Sequence, residues 1–572
     1  MKKNPRELHS GREHPFPSIR KSNDLGGSKL ALWSAFFNKL IKDKQRKPNG
    51  MKNGPARSGR ADGLEKKYLD KRLEANIQMI KETTGNSSDI IIRVLEAGKG
   101  SHFPFQAAVV MADGLSDNAT VSEFIIESLL NEQHFEDIPK EEVLTVLEKK
   151  ILSVTNVKVI KEWNELFNSV LSGETVVLVD GTDQALGAGT RGGKTRNVTD
   201  PNTEVSIRGP KESFTESIRD NTALIRRRIC NPNLWLESMK IGKETKTNVG
   251  IMYIKGIAND EIVEEVKTRL RRIDTDSILD SGIIEQFIED ETFSVFPTIF
   301  YSERPDTIAS NLLEGRIAII IDGSPFVLTV PALFIEFFQT ADDYYTRVDI
   351  SNAIRLLRIL VFFVSMIAPA TYVALTNFHQ EMVPTQLIIT IAAQREAIPF
   401  PAIVEVVLME LTFEILREAG LRLPKTIGQA VSIVGALVIG QAAVQAGLVS
   451  PMMVIVVAVT GIASFATPSY SIAISARLIR FALMIISSII GIYGIIIGVM
   501  FITIHLCSLR SFGVPYMAPF APLIVKNLGD TVIRMPAWKK DIRPKLISQN
   551  NIERTGQDQG PKPPDKKDEQ PR

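Results

Sequence analysis

Glu410, Glu414 and Glu418 stand four residues apart in "EAIPFPAIVEVVLMELTFEILREAG" (residues 396–420), amid some of the most apolar sequence of a 572-residue chain. At 100° per residue these carboxylates and Arg417 share one sector of a helix, with Val404, Val407, Leu408, Leu411 and Ile415 in the next. Carboxylates in such a row can replace the hydration water of a cation, which fits the wall or vestibule of a cation pathway. The spacing fits equally an interfacial helix whose carboxylates stay in water, with Glu418 and Arg422 paired at i, i+4. A charge at the bilayer centre costs about 3 kcal/mol on insertion scales, so under either reading the row faces protein or water. Glu405 lies on the opposite side of that helix.

A second candidate follows in "IGQAVSIVGALVIGQAAVQAG" (residues 427–447). Val431, Val434, Val438, Gln441 and Gln445 form one stripe; Ser432, Ala436, Gly440 and Ala443 form another, small enough for close helix approach. Repeated around a symmetry axis, valines flanked by amides make a narrow dry constriction that opens on wetting. A helix packed on both faces inside one subunit is the competing reading. It leaves the glutamines in need of partners.

The elements that must hold these residues are apolar and long. Ile359 to Phe378 can cross a bilayer at 1.5 Å per residue. Thr426 to Ala476 runs without a charge and is broken by Gly447 and Pro451, which predicts two spans with a tight turn. Phe481 to Cys507 predicts another. Gln386 to Arg417 predicts a further crossing or a re-entrant element, because Pro399 and Pro401 would interrupt one continuous helix. Arg347, Arg355, Arg358, Arg417, Arg422, Lys425, Arg477 and Arg480 flank alternate ends, which by the positive-inside rule puts the polar half in the cytoplasm. The tail from Lys526 is also basic, in conflict with an odd number of crossings. Either the glutamate segment does not fully span, or "VPYMAPFAPLIV" dips back into the membrane.

The polar half mixes short β-branched runs such as "DIIIRVLEAG", "QAAVVMADGL" and "ETVVLVDG" with amphipathic stretches such as "VSEFIIESLL" and "KEEVLTVLEKKIL". It also contains a duplication. "AVVMADGLSDN" resembles "GIMYIKGIAND", and "VLSGETVVLVDGT" resembles "LLEGRIAIIIDGS". Gly114 falls over Gly256, Gly173 over Gly315, Asp180 over Asp322 and Gly181 over Gly323, always 142 positions apart. This predicts two α/β subdomains of similar fold. It also predicts that "RIAIIIDGSPFVLTVPALFIEFF" is a buried hairpin with an Asp-Gly turn, since its polar twin cannot span a bilayer. Between the twins, "RGPKESFTESIRDNTALIRRRI" reads as a charged connector, either a solvated linker helix or a contact between subunits.

Residues 1–60 carry 15 Lys and Arg against 4 Asp and Glu, and residues 1–62 read as a disordered basic arm. Within it "KLALWSAFFNKLIK" is amphipathic, suited to an anionic membrane surface or to docking on the protein itself. The two cysteines form no disulfide framework, and no long apolar core resembling a signal peptide opens the chain. Neither the cysteines nor the six scattered histidines have metal-ligand spacing, so no metal site and no cofactor is expected. "GAGTRGGKT" contains G-x-G-x-x-G but lacks a following helix start, and Ala188 stands where a phosphate loop needs glycine. No catalytic constellation can be assembled, and no nucleic-acid groove is suggested. The chain reads as non-enzymatic.

Longer strings carry a specific likeness. "SVFPTIFYSERPDTIASNLLEGRIAIIIDGSPFVLTVPALFIEFFQTADDYY", "FPAIVEVVLMELTFEILREAGLRLPKTIGQAVSIVGALVIGQAAV", "GLVSP", "ASFATPSY" and "HLCSLRSFGVPY" strongly resemble the A subunit of GerA-type spore germinant receptors, over roughly Asp89 to Tyr516. The resemblance implies a place in the inner membrane of bacterial endospores, beside a transporter-like B subunit that holds the nutrient and a lipoprotein C subunit. It also implies a homo-oligomeric ring conducting monovalent cations, which suits the valine and glutamine stripe better than the glutamate row. The expected organisation is a basic arm (1–62), two cytosolic α/β subdomains (63–200 and 201–345), an α-helical polytopic membrane domain (346–525) and a polar disordered tail (526–572). A scaffold that assembles the receptor while its partner carries ions is the rival.

Overall fold

The computed structural model describes residues 68–97, 104–131, 143–148, 154, 156–192, 201, 204, 206–423, 440–548, 551–556 and 559–561. The basic arm, with its amphipathic stretch, lies outside them.

The polar half contains two five-stranded antiparallel sheets. The first comprises β1 (Ile90–Ala97), β2 (Phe105–Ala112), β3 (Val157–Ile160), β4 (Thr175–Val179) and β5 (Ala185–Ala188), in the spatial order β1-β2-β4-β5-β3. The second comprises β6 (Leu234–Ile241), β7 (Thr247–Ile254), β8 (Phe300–Ser302), β9 (Ile317–Ile321) and β10 (Val327–Val330), in the matching order β6-β7-β9-β10-β8. The expected hairpin is β9–β10, with Leu328 opposite Ile319. Strand alternation splits each sheet into two apolar faces. On β2, Ala107 and Val109 join the core under Val121, Ile125, Leu129 and Leu147, while Ala108 and Val110 join the core under α1 (Leu73–Thr83) and α2 (Trp163–Leu171).

The second sheet is covered on one face by α3 (Ile218–Arg228) and α6 (Pro305–Leu313), and on the other by α4 (Asp260–Arg271) and α5 (Ser281–Ile288). Polar caps start these helices. Asn259 accepts from the Glu261 N–H, Asp280 from the Gly282 N–H, and Ser217 from the Asp220 N–H. The matched residues do matched work. Asp180 accepts from the Leu73 N–H at the start of α1, and Asp322 from the Ile218 N–H at the start of α3, both at 3.1 Å. Gly173 and Gly315 have φ of +92° and +96°, and a Cβ would come 2.7 Å from the Leu115 carbonyl and 3.1 Å from the Ile257 carbonyl.

The charged connector is therefore neither a solvated linker nor a free surface. Its helix α3 is the counterpart of α1 and is buried along Asn221 to Arg226. Arg226, 1% exposed, donates from Nε and Nη2 to the Asp89 carboxylate at 2.6 and 2.9 Å, and from Nη2 to Ser87 at 3.0 Å. This pair bolts the second subdomain to the first.

The helical half comprises α7 (Val348–Asn377), α8 (Thr385–Arg395), α9 (Ala402–Arg422), helical residues 440–445, α10 (Pro451–Phe465), α11 (Tyr470–Ile490) and α12 (Ile492–Ser508). The proline pair at 399 and 401 separates α8 from α9, as the sequence predicts. Gly491, at φ +69°, divides the predicted Phe481–Cys507 span into α11 and α12. Arg477 and Arg480, read from sequence as loop charges, lie inside α11. α7 packs on α10 and α11 through Phe362, Met366, Val373, Met453, Val457, Ile479 and Leu483.

Both ends of the helical half are fastened to one body. At the start of α7, Arg355 reaches Asp343 and Asp530, each at 3.1 Å, and Arg358 donates to the Phe338 carbonyl at 2.7 Å. Beyond α12, the Phe512 N–H donates to Asp290 at 2.6 Å, and the Phe334 N–H to the Tyr516 carbonyl at 2.9 Å. The segment from residue 526, expected to be disordered, docks on the second subdomain, with contacts as far along as Arg554. Lys540 binds Glu314 at 2.8 Å, Arg543 donates to the Leu313 carbonyl at 2.8 Å, and Ile547 and Ser548 are fully buried. Burial opposes ionisation of Glu314, but Lys540, Arg316 and Arg554 outweigh it and hold its carboxyl down at about 2.

Candidate functional site

The glutamate row is carried by α9, and each carboxylate meets an arginine. Glu410 is the ninth residue of α9 and Arg480 the eleventh of α11, so their contact lies near the middle of two 21-residue helices. Both side chains are 1% exposed and meet at 2.9 Å. Glu414 takes Arg477 from α11 and Arg417 from its own helix, the latter at 3.1 Å. Arg417 donates onward to the Ser464 hydroxyl at 2.6 Å, with its guanidinium 5.1 Å from the ring centres of Phe413 and Phe465. Glu418 is exposed and pairs with Arg422 at 2.7 Å. The row thus divides into a buried member, a half-buried member and a solvated member.

Such burial needs partners that solvent cannot supply. Among the described residues, the Arg480 Nε and Nη2 atoms and the Arg417 Nε are buried without a hydrogen-bond acceptor. A carboxylate left alone at Glu410 would be worse placed still. Gly461 permits the contact between α9 and α10, since a Cβ there would fall 2.5 Å from the Phe413 ring. Glu405, which had no partner in sequence, lies 3.4 Å from Arg395 of α8 and accepts from the Ser450 N–H at 3.0 Å. It ties the α8–α9 corner to the start of α10.

Val431, Val434 and Val438 lie outside the described residues. Gln441 and Gln445 are exposed on helical residues 440–445, just before the turn to Pro451. On α8, Thr385, Gln386 and Thr390 are exposed as well. Leu387 and Ile389 of α8 are also exposed, while the outward faces of α7, α11 and α12 are more uniformly hydrocarbon. They present Leu356, Leu360, Phe363, Leu478, Ile485, Ile489, Ile496 and Phe501.

Sequence reasoning found the glutamates but not their counter-ions. The signal was present. Arg477 and Arg480 are the only charges between Lys425 and Arg510, and their i, i+3 spacing puts them on one face of any helix. Among the described residues, no group of three or more His, Cys, Asp or Glu is arranged to hold a metal ion. By length and composition α7 and α11 are apolar enough to cross a membrane, while α10 and α12 are shorter apolar helices.

Residues 78–546 match the family model described as the Bacillus/Clostridium GerA spore germination protein. The chain belongs to the GerA family. Spore germination protein KA of Bacillus subtilis (strain 168) is 54% identical over 491 residues, covering 86% of this chain and 89% of that protein. The uncharacterized membrane protein YfkQ of the same strain is 43% identical over 494 residues, covering 86% and 95%. A crystal structure of the N-terminal domain of the A subunit of the Bacillus megaterium spore germinant receptor GerK3 is 44% identical, covers 47% of this chain and 98% of that one, and superposes with a TM-score of 0.38. The germination relatives are germinant-receptor A-type proteins, and this GerA chain is a spore germination receptor A subunit by family.

Proposed function

We infer that this GerA chain is a multi-pass membrane subunit of a nutrient-responsive germination receptor, and that copies of it assemble into a gated channel for monovalent cations. The observation that carries the reading is the contrast between exposed helix faces. Hydrocarbon side chains on α7, α11 and α12 suit lipid, whereas Gln441, Gln445 and Gln386 would lack partners there and suit a ring interior or its neighbours. Because both ends of the helical half attach to the same soluble body, the reading takes an even number of crossings. The split at Gly491 supplies the crossing that the charge pattern lacked. The soluble half and the docked C-terminal segment then face the spore core from the inner membrane.

The partners in this reading are the transporter-like B subunit and the lipoprotein C subunit. Nutrient binding in the partner shifts the helices, the constriction at Val431, Val434 and Val438 wets, and cations leave the core past Gln441 and Gln445. Glu410 and Glu414 act in the closed state as counter-ions that hold α9 against α11, while Glu418 stands at the cytosolic vestibule. The same pairing supports the rival reading. Carboxylates already occupied by arginine leave little for a passing cation, which favours a scaffold that assembles the receptor while the B subunit conducts. Potassium efflux from liposomes holding this subunit alone separates the two. Val434→Ser and Val438→Ser each open a leak if the chain is a channel, and tight vesicles from both folded variants support the scaffold.

A further inference from the structure

The segment between α5 and β8 has an apolar tip that the fold leaves bare. Phe293 is 94% exposed, and Val295 and, on α5 itself, Phe287 are exposed beside it. A lone exposed phenylalanine is unremarkable in a protein surface. The place of this one is not. The Val295 carbonyl accepts from Ser475 at 2.6 Å, and Ser475 is the sixth residue of α11, about 8 Å from its start at 1.5 Å per residue. Ser294 meets His505 Nε2 at 3.0 Å in the last turn of α12. The tip is therefore pinned, by the two residues that follow Phe293, beside the soluble-side turns of two apolar helices.

Its base is equally fixed. Asp290 receives Arg269 Nη2 of α4 at 2.8 Å and the Phe512 N–H, just beyond α12, at 2.6 Å, so the base of the segment is tied to both. Phe296 turns inward against Phe334 and His505, leaving Phe293 and Val295 on the outside. The two helices that hold the tip are themselves exposed and apolar at Tyr470, Ile504 and Phe501; in sequence Tyr470 lies within five residues of Ser475, and Ile504 next to His505. Glu291 and Glu289 flank the tip and keep the adjoining backbone in water, which limits its depth to the headgroup and upper acyl level.

We propose that Phe293, with Val295 and Phe287, is a lipid-contact wedge by which the second soluble subdomain enters the surface of the bilayer. The occupant is lipid rather than a second protein because the wedge is pinned to α11 and α12, whose exposed side chains are hydrocarbon, and not to the amide-bearing residues 440–445. The proposal rests on α11 and α12 crossing a bilayer, and the experiment carries its own control for that. Nitroxides are attached in lipid nanodiscs to Phe293→Cys, Phe501→Cys and Ile207→Cys of the full chain, in a background with Cys230→Ser and Cys507→Ser, the two free and exposed thiols. Collision with oxygen, which concentrates in acyl chains, is compared with collision with a water-soluble nickel chelate.

The oxygen-to-nickel ratio at Phe293→Cys is expected to rise several-fold over that at Ile207→Cys, a 94% exposed site on the soluble half, and to approach Phe501→Cys. Phe287→Cys repeats the reading at a second site. A Phe293→Cys label that meets nickel freely while Phe501→Cys meets oxygen overturns the wedge and leaves the crossing intact. A label shielded from both reagents overturns it in favour of a protein contact. Free nickel access at Phe501→Cys removes the crossing and the wedge together.

Discussion

The two sheets of this chain share strand order, matched aspartate caps and matched left-handed glycines, but their surroundings diverge at one edge. After β5 of the first sheet comes Gly189 to Gly192, polar and glycine-rich; at the matching place after β10 comes Pro331 to Phe338, where Phe337 and Phe338 pack on Phe300, Phe362 and Tyr516. The residue after each matched glycine reverses its charge. Glu174 pairs with Lys158 and Arg191 on the first subdomain, whereas Arg316 pairs with Glu336 and donates to the Pro331 carbonyl on the second. Among the described residues the two cores of the first subdomain stop short of the helical half, one of them admitting Ala223 of α3, while one core of the second runs on without interruption into the helical half. A duplicated fold has kept its internal wiring and changed its edge. One copy became the adaptor to the helices, and the other is joined to it through Arg226.

The largest expected effect breaks that joint. Arg226→Ala leaves Asp89 buried without a cation and should cost about 3–5 kcal/mol, read as a lower melting point and as faster hydrogen exchange at residues 87–89 and 234–238. Replacing both partners with apolar residues, Arg226→Met with Asp89→Leu, should recover most of the loss, because it is the orphaned charge that costs. A loss below about 1 kcal/mol from Arg226→Ala would mean that the subdomains are held by something else.

The matched glycines sharpen the comparison at about 2 kcal/mol each. Gly173→Ala and Gly315→Ala both meet positive φ and a carbonyl, and the closer approach at Gly173 makes it the costlier. Thermal unfolding that reverses the order would show that the second copy depends more on its edge than on this turn.

A smaller effect, on the order of 1 kcal/mol, separates the copies by pH. Glu314 is held near 2 in the folded chain, below the usual carboxylate value, so its pair with Lys540 stabilises fully above about pH 4.5 and fades as the pH falls toward 2. Lys540→Met should therefore destabilise at pH 7, and the gap from the unaltered chain should shrink by about half or more between pH 5 and pH 3. The position matching Glu314 in the first copy is Ser172, which carries no charge. A gap that stays constant with pH would remove Glu314 from the docking of the C-terminal segment.

Much of the polar half was legible because strand alternation and Asp-Gly turns are local signals. The hairpin at β9–β10 and the matched glycines needed only short-range sterics to be read. The role of α3 was hidden for a definite reason. Leu73 and Ile218 begin α1 and α3 145 positions apart, whereas the matched glycines and aspartates lie 142 apart, so a fixed offset passes over the helix pair. In the helical half, apolar runs located the helices but not their breaks. Gly491 looks like any small residue of a membrane helix until its φ is known. The carboxylates of Glu410 and Glu414 were visible, but their arginines are 70 and 63 residues away, and no local pattern links them. The docked C-terminal segment carries the composition of a tail, and only its partners on the second subdomain give it a place.

Water against the amide-bearing side of residues 440–445 is the central claim for the helical half. Its most direct test is cysteine accessibility in the assembled receptor, with Val434→Cys, Val438→Cys, Gln441→Cys and Gln445→Cys made singly in a background lacking Cys230 and Cys507. The account predicts that a membrane-impermeant thiol reagent reaches the glutamine positions, reaches the valine positions only once germinant is added, and slows cation release when it reacts. A receptor that germinates normally while all four sites stay unreactive would contradict it.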